Sequence, residues 1–497
     1  MTSTTAPPGE AERGSRLGAH LVVALVFLSW TAHASSIIGL LAGNATAQIA
    51  IHFRTTQIAW FTLAPSLLGL FLSPAIYWAA TRYGKRRVML SAAVLALFGD
   101  VIAALATSFP LLLLGRAISG IYAGTAVLAY AIVRDIVPKK SVGSASGAVA
   151  GGIAVVGVAG PFLSAGVLDS FGYRGALWTM VCLTAVTVVA LLFFIPESPV
   201  RDQSKRFDWI GSLLLGTGVT AVVYGIGQGS DWGWTSGRVI GLLGGGLAVI
   251  LVFVIVESRI EHPLFPMAML KRRPFWGMIA ATSVVYCVTS VGTVGYLLAL
   301  YPKIPHLSAG LGWSATHYAL VGLPGAPILL GTALFAGRLA KRFDPRLLLA
   351  TGSALFAVSM VLSVYFHYNA TQMIATSPVG SIGMGLVITT LPILVISAVE
   401  PREQALGNGA QSIASGIFIA VATQVAYVVM AQKGLSSHGA QFYSDASFKN
   451  AYWLFAGIGA LGALSCFLMP RMKRMDEVES GQAPAPSAEE EGAPLPR

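Results

Sequence analysis

The chain has 497 residues, 55% of them hydrophobic and 11% charged, with a mean hydropathy of +0.72 and a formal net charge of +11. A soluble domain carries about 25% charge, so this composition excludes a soluble globular protein and describes one that crosses a membrane repeatedly. The cations are not a nucleic-acid signal, because they cluster in short gaps between apolar runs, the pattern of basic cytoplasmic loops.

Apolar runs of membrane-crossing length, about 20 residues, lie near 18–42, 57–80, 87–107, 110–133, 144–168, 175–196, 209–228, 238–257, 276–301, 315–337, 347–366, 373–398, 406–430 and 450–470. They predict an all-α membrane protein of fourteen transmembrane helices, two six-helix bundles with two extra helices inserted between them. The expected segments are a cytoplasmic tail at 1–17, a bundle at 18–198, the inserted pair with its linkers at 199–274, a bundle at 275–470 and a disordered tail at 471–497. In the first run Ala32-His33-Ala34 resembles a signal cleavage site, but apolar sequence continues through Leu41, so the run reads as an uncleaved span.

The gap after the second run, Thr81 to Arg87, holds four cations, and a similar stretch recurs at Gly337 to Leu349. Aligned, Ala80 falls on Ala340, Arg82 on Arg342, Tyr83 on Phe343 and Arg86 on Arg346, which points to a duplicated membrane unit. With the N-terminus inside, internal segments outnumber external ones in Lys and Arg by roughly four to one. Both termini are then cytoplasmic, in a multi-pass cell-membrane protein. Asn44-Ala45-Thr46 and Asn369-Ala370-Thr371 fit glycosylation acceptors on external loops, but the short loops and Ala/Gly richness argue against modification. Cys182, Cys287 and Cys466 lie in apolar runs, so no disulfide framework, metal site or other cofactor is expected.

These residues carry a family resemblance. Tyr77-x-x-x-Thr81-Arg82-Tyr83-Gly84-Lys85-Arg86-Arg87 keeps the basic half and turn glycine of a G-x-x-x-D-R-x-G-R-K/R loop. Arg116-Ala117-Ile118-Ser119-Gly120 keeps the Arg and Gly of R-x-x-Q-G in span four. Gly152, Gly160 and Pro161 match the exporter signature of span five, with Ser164-Ala165 at its final glycine pair. The inserted pair opens with Phe207-Asp208-Trp209-Ile210-Gly211 and closes with Glu257 and Pro263-Leu264. The chain resembles a fourteen-span drug/proton antiporter of the major facilitator superfamily, from the first span to about residue 470. That resemblance implies the major facilitator fold and a first-span Asp that carries the proton. Here its place falls near Ser36, in a stretch without any acid.

Asp100 and Arg116 are the charges placed deep in the hydrocarbon, eight residues before and eight after Ser108. Both then lie about 12 Å from the hairpin turn. They are candidates for proton coupling, or for a static ion pair that holds the hairpin. Span nine carries Thr282, Tyr286, Thr289, Thr293 and Tyr296 within about 80° on an ideal helix, and span thirteen carries Asn408, Gln411, Ser412 and Ser415 on one face. Tyr286, Thr289, Thr293, Tyr296, Asn408 and Gln411 are the substrate-cavity candidates; the other reading is interhelical hydrogen bonding. Arg82, Gly84, Arg86, Gly152, Gly160 and Pro161 are the gating candidates, set against topology and plain packing. His33 reads as a satisfied polar residue rather than a proton relay.

The expected function is secondary active export of amphipathic organic compounds, with the proton as coupling ion, the bilayer as surroundings and a monomer as the working unit. An ion-independent facilitator or importer is the second reading, and a non-transporting receptor or scaffold the third. No nucleophile, base and acid set appears, so an enzyme is not expected.

Overall fold

The computed structural model describes residues 19–138, 141–200, 208–260, 267–399, 403–472 and 476. The expected tail at 1–17, the expected tail at 471–497 apart from Arg471, Met472 and Asp476, and Phe207 and Pro263-Leu264 lie outside the described residues. The chain folds into long helices because its segments are apolar all round, which suits a lipid-facing or bundle-interior position. Lipid offers no partner for backbone N–H and C=O groups, so each segment closes its own ladder.

The helices are α1 (Ala19–His52), α2 (Trp60–Tyr83), α3 (Lys85–Leu105), α4 (Phe109–Ile136, with a 3-10 stretch at Gly120–Thr125), α5 (Val142–Phe193), α6 (Trp209–Trp232) and α7 (Gly237–Glu257). There follow α8 (Arg273–Leu300), α9 (Ala315–Gly322), α10 (Gly325–Leu339), α11 (Pro345–Tyr365), α12 (Ala370–Ala398), α13 (Gln404–Ala431) and α14 (Asp445–Leu468). Twelve of the described helices are long and apolar enough to cross a membrane, and α9 with α10, bent by 41°, makes a thirteenth as one span. Within the 52-residue α5, Gly172 has φ 65°, a break between two of the expected runs. Helix starts have local causes. Asp208, Ser236, Ser314, Asn369 and Ser444 each accept a backbone N–H as N-caps. Two antiparallel ribbons, β1 (Lys303–Ile304) with β2 (Ser308–Ala309) and β3 (Leu435–Ser437) with β4 (Ala440–Phe442), lie on what we call the hairpin face.

One buried apolar cluster draws only on residues 25–195, a second mainly on residues 269–472, and a third joins the two. The duplicated loop is visible in three dimensions. Arg86 donates to the carbonyls of Leu191 (2.7 Å) and Leu192 (2.5 Å), at the end of α5. Its counterpart Arg346 donates to the carbonyl of Met469 (3.1 Å), just past α14. Each arginine thus closes the last helix of its own six. Asp344 pairs with Arg346 at 2.9 Å, and burial raises its carboxyl above the ordinary range against the pull of that arginine.

The first expected span stops ten residues short of the helix. Ala and Ile continue α1 to His52, so Asn44 is buried in the helix and donates to Ser164 Oγ (2.7 Å) rather than sitting on a loop. Asn369 is the N-cap of α12.

Gly84 joins α2 to α3 at φ 110°, ψ 136°, a region essentially closed to other residues. A Cβ there would also lie 2.9 Å from the carboxylate of Glu197. Gly84→Ala is expected to cost about 1–3 kcal/mol, read as a lower melting temperature in detergent.

Candidate functional site

Spans three and four approach most closely through glycines. A Cβ on Gly99 would meet the Gly115 carbonyl at 2.6 Å, and one on Gly115 would meet Gly99 O at 2.6 Å. Small residues at such crossings let backbones touch. The neighbours of those glycines are Asp100 and Arg116, and the close approach brings them together.

Arg116 Nη1 lies 3.3 Å from Asp100 Oδ1, with 4% and 2% of the two residues exposed. Thr184, from the second part of α5, donates to Asp100 Oδ2 at 2.7 Å. Arg116 also donates to Ser119 Oγ (3.2 Å) and sits over the Phe61 ring at 5.4 Å. Its Nε–H finds no acceptor among the described residues. Isolated charges at this depth cost at least about 2.5–3.5 kcal/mol each on insertion scales. Pairing, the Thr184 bond and a polar cavity offset that cost.

The cavity holds about 220 Å³ and is lined by Asp100, Arg116, Thr184, Ser35, Thr62 and Tyr122, among others. Ser35 adjoins Ser36, where the resemblance expects the first-span acid. Span one and Asp100 therefore border the same space. Thr184, Ser119 and Tyr122 were not singled out by sequence; an isolated hydroxyl in an apolar run is too common a signal.

The span-nine stripe is not continuous. Cys287–Ser290 wind as a 3-10 segment, which turns the following residues by about 80° relative to an ideal α-helix. Thr282 is fully buried and donates to Met278 O (2.7 Å), and Thr289 donates to Tyr286 O (2.7 Å). Of the stripe, Tyr296 reaches a cavity; Tyr286 packs against the apolar cluster of the second half and Thr293 is half-buried. Gln411 is buried and donates to Ser415 on its own helix (2.8 Å), while Asn408 is exposed. Between spans nine and thirteen, Thr423 donates to Ser290 Oγ (3.1 Å), and Ser290 donates to Ile419 O (3.4 Å).

The basic loop is tied down within the first half. Lys85 bonds Asp135, and Glu197 accepts the N–H groups of Arg86 (3.0 Å) and Arg87 (3.2 Å). Arg82 stacks over Trp78 at 5.6 Å. Gly152 lies against Ser29 and His33, and Gly160 against Leu40, so both set the approach of α5 to α1. Ser29 and His33 both bond Val149 O, at 3.1 and 3.0 Å. On the hairpin face the two halves meet. Asp169 of α5 accepts the N–H groups of Ala315 and Thr316, both at 2.8 Å, at the start of α9. A Cβ on Gly439 would lie 3.0 Å from Arg54 O, and one on Gly43 would lie 2.6 Å from the Tyr296 ring.

A profile described as Major Facilitator Superfamily matches residues 19–423 and 299–491. The chain belongs to the major facilitator superfamily. Among relatives, the multidrug transporter protein MdtP of Bacillus subtilis (strain 168) is 23% identical over 79% of this chain and 70% of its own length. Multidrug resistance protein 3 of the same organism is 23% identical over 76% and 72%. An uncharacterized MFS-type transporter of that organism, YhcA, is 26% identical over 65% of this chain, and the match spans only 58% of the relative. A bacterial homolog of the human lysosomal transporter Spinster, solved inward-facing and unoccupied, superposes with a TM-score of 0.62 at 14% identity, covering 91% of this chain and 98% of that one. An auto-inhibited POT family peptide transporter gives 0.64 at 15%, covering 91% and 98%. At such identities the two structures share the major facilitator fold and carry nothing further.

Proposed function

We propose that this superfamily transporter is a proton-coupled exporter of amphipathic organic compounds, with Asp100 as the proton-carrying group and Arg116 as its partner. The observation that carries the reading is the buried Asp100–Arg116–Thr184 set on the cavity shared with span one. An acid on span three there takes the place of the acid that span one lacks. Protonation of Asp100 would free Arg116 to bond elsewhere, which couples a proton to a change in helix contacts.

The rest of the reading follows the expected plan. Two six-helix bundles, 18–198 and 275–470, flank the inserted pair, and α5 counted as two spans with α9–α10 as one gives fourteen. The basic loops and both termini face the cytoplasm of a cell-membrane protein that works as a monomer. Contacts between halves at the hairpin face, and a basic loop bonded within its own half, support a conformer that opens toward the basic face. MdtP and multidrug resistance protein 3 support drugs as cargo. The facilitator is the second reading, favoured by Ser36 in place of the first-span acid.

The test uses purified protein in liposomes with an internal pH dye and a panel of lipophilic cations and antibiotics. Export is expected to move protons in the wild type and to lose its pH dependence in Asp100→Asn. Unchanged pH dependence in that variant would remove the proton role. Substrate movement without protons would establish the facilitator.

A further inference from the structure

A recess between the halves lies away from the charged pair. It holds about 290 Å³ and is built by both bundles: Asn44 of α1, Gly157 and Pro161 of α5, Tyr296 of α8, Tyr318 of α9 and Ser377 of α12. Its rim is apolar and faces outward, with Val158 46% and Leu323 42% exposed. In a membrane-spanning bundle that rim meets acyl chains.

The polar end of the recess presents acceptors. Asn44 is 3% exposed; its Nδ2 is committed to Ser164 Oγ, and its Oδ1 has no partner among the described residues. Pro161 has no N–H to give the carbonyl of Gly157, four residues back, and Gly157 has open space where a Cβ would be. Tyr296 and Tyr318 meet edge to face at 5.5 Å and wall the recess with ring surface. No charged side chain lines it. A buried acceptor without a donor is costly, and a recess of this size takes one end of a drug-sized molecule rather than the whole. On the opposite flank α6 packs over α2 and α13: a Cβ on Gly216 would strike Phe71, and one on Gly227 would lie 2.5 Å from Gln424. The inserted pair covers that seam, and the cleft beside α5 is left facing lipid.

We infer that this cleft binds the hydroxyl or amide end of a neutral amphiphile arriving from the bilayer, with Asn44 Oδ1 and the Gly157 carbonyl as acceptors. The apolar remainder stays in the acyl layer. As a site on the export path it rests on the exporter reading, but binding there needs no proton gradient.

The test places the full chain in lipid nanodiscs with a diazirine-bearing hexadecanol, or with its methyl ether, which keeps the chain and loses the donor. After illumination, labelled peptides are mapped by mass spectrometry. The alcohol is expected to label α5 near 157–162 and the 318–326 stretch at least about fivefold more than the ether, the discrimination expected of one buried hydrogen bond. Asn44→Leu, which leaves the Gly157 carbonyl as the remaining acceptor, is expected to cut that preference to less than about twofold. Ser164→Ala, which keeps Asn44 Oδ1, is expected to retain it. Equal labelling by alcohol and ether in the wild type, or no labelling of these peptides, would overturn the inference, and neither depends on a variant folding. Selective labelling without transport would sink the exporter reading alone; transport without selective labelling would sink this site alone.

Discussion

Arg116→Leu is expected to destabilise the protein by about 3–5 kcal/mol, the cost of leaving a buried carboxylate without its partner. Asp100 is 2% exposed, and after the change only hydroxyls, Thr184 first among them, would still bond it. Proton-linked transport should then stop. The informative comparison is the double variant Asp100→Leu with Arg116→Leu. Replacing both charges by apolar groups is often neutral or stabilising, so most of the lost stability should return while proton-linked transport stays absent. Thermal unfolding and liposome transport, measured on the two single variants and the double, separate the readings. Transport that returns together with stability in the double variant would make the pair a static brace. A single Arg116→Leu as stable as the wild type would contradict the burial itself.

The second large effect is expected at Gly120. A Cβ there would sit 2.6 Å from Pro65 Cα and 2.7 Å from Pro65 C, and backbone atoms cannot swing aside as a side-chain end can. Gly69 is part of the same crossing, since a Cβ on it would lie 2.7 Å from Gly120 O. Overpacking of this kind costs about 1–3 kcal/mol, and more where backbone must move. Gly120→Val should therefore collapse the yield of monodisperse protein on size exclusion, while Gly151→Ala, with nothing within 4 Å, should leave it unchanged. Pro65 and Gly120 also line the charged cavity, so any protein recovered should have lost the Asp100–Arg116 geometry as well. Normal yield and stability for Gly120→Val would show that the α2–α4 crossing is looser than described.

Much of this architecture was legible because hydrocarbon imposes length and charge rules that act on single segments. The apolar runs, the basic loops and the equivalence of Arg86 with Arg346 all follow from such rules. The depth of Asp100 and Arg116 could be counted from a turn, and the structure brings the two side chains together. What required the fold was local. Cys287–Ser290 tighten to a 3-10 segment that no residue in Cys-Val-Thr-Ser announces, so a stripe drawn on an ideal helix was split. Asn44 looked like a loop residue because its neighbours are small and polar, yet α1 continues past it. Its partner Ser164 is one of the two residues that break the expected glycine pair. The partner of Asp100 on α5, Thr184, lies more than eighty positions away, beyond the reach of spacing arguments.

The bonds from Ala315 and Thr316 to Asp169 exist only while the halves touch at the hairpin face. A carboxylate at a solvent-exposed helix start is worth about 0.3–1 kcal/mol, so Asp169 tilts the resting population toward this shape by a factor of about two to five. In a cycle where the halves part there, a molecule arriving at that face finds its receptive shape less often, and its apparent affinity falls by the same factor. A molecule arriving at the opposite face meets no such handicap. One carboxylate, away from the buried ion pair, thereby makes the transporter see the same solute differently from its two sides.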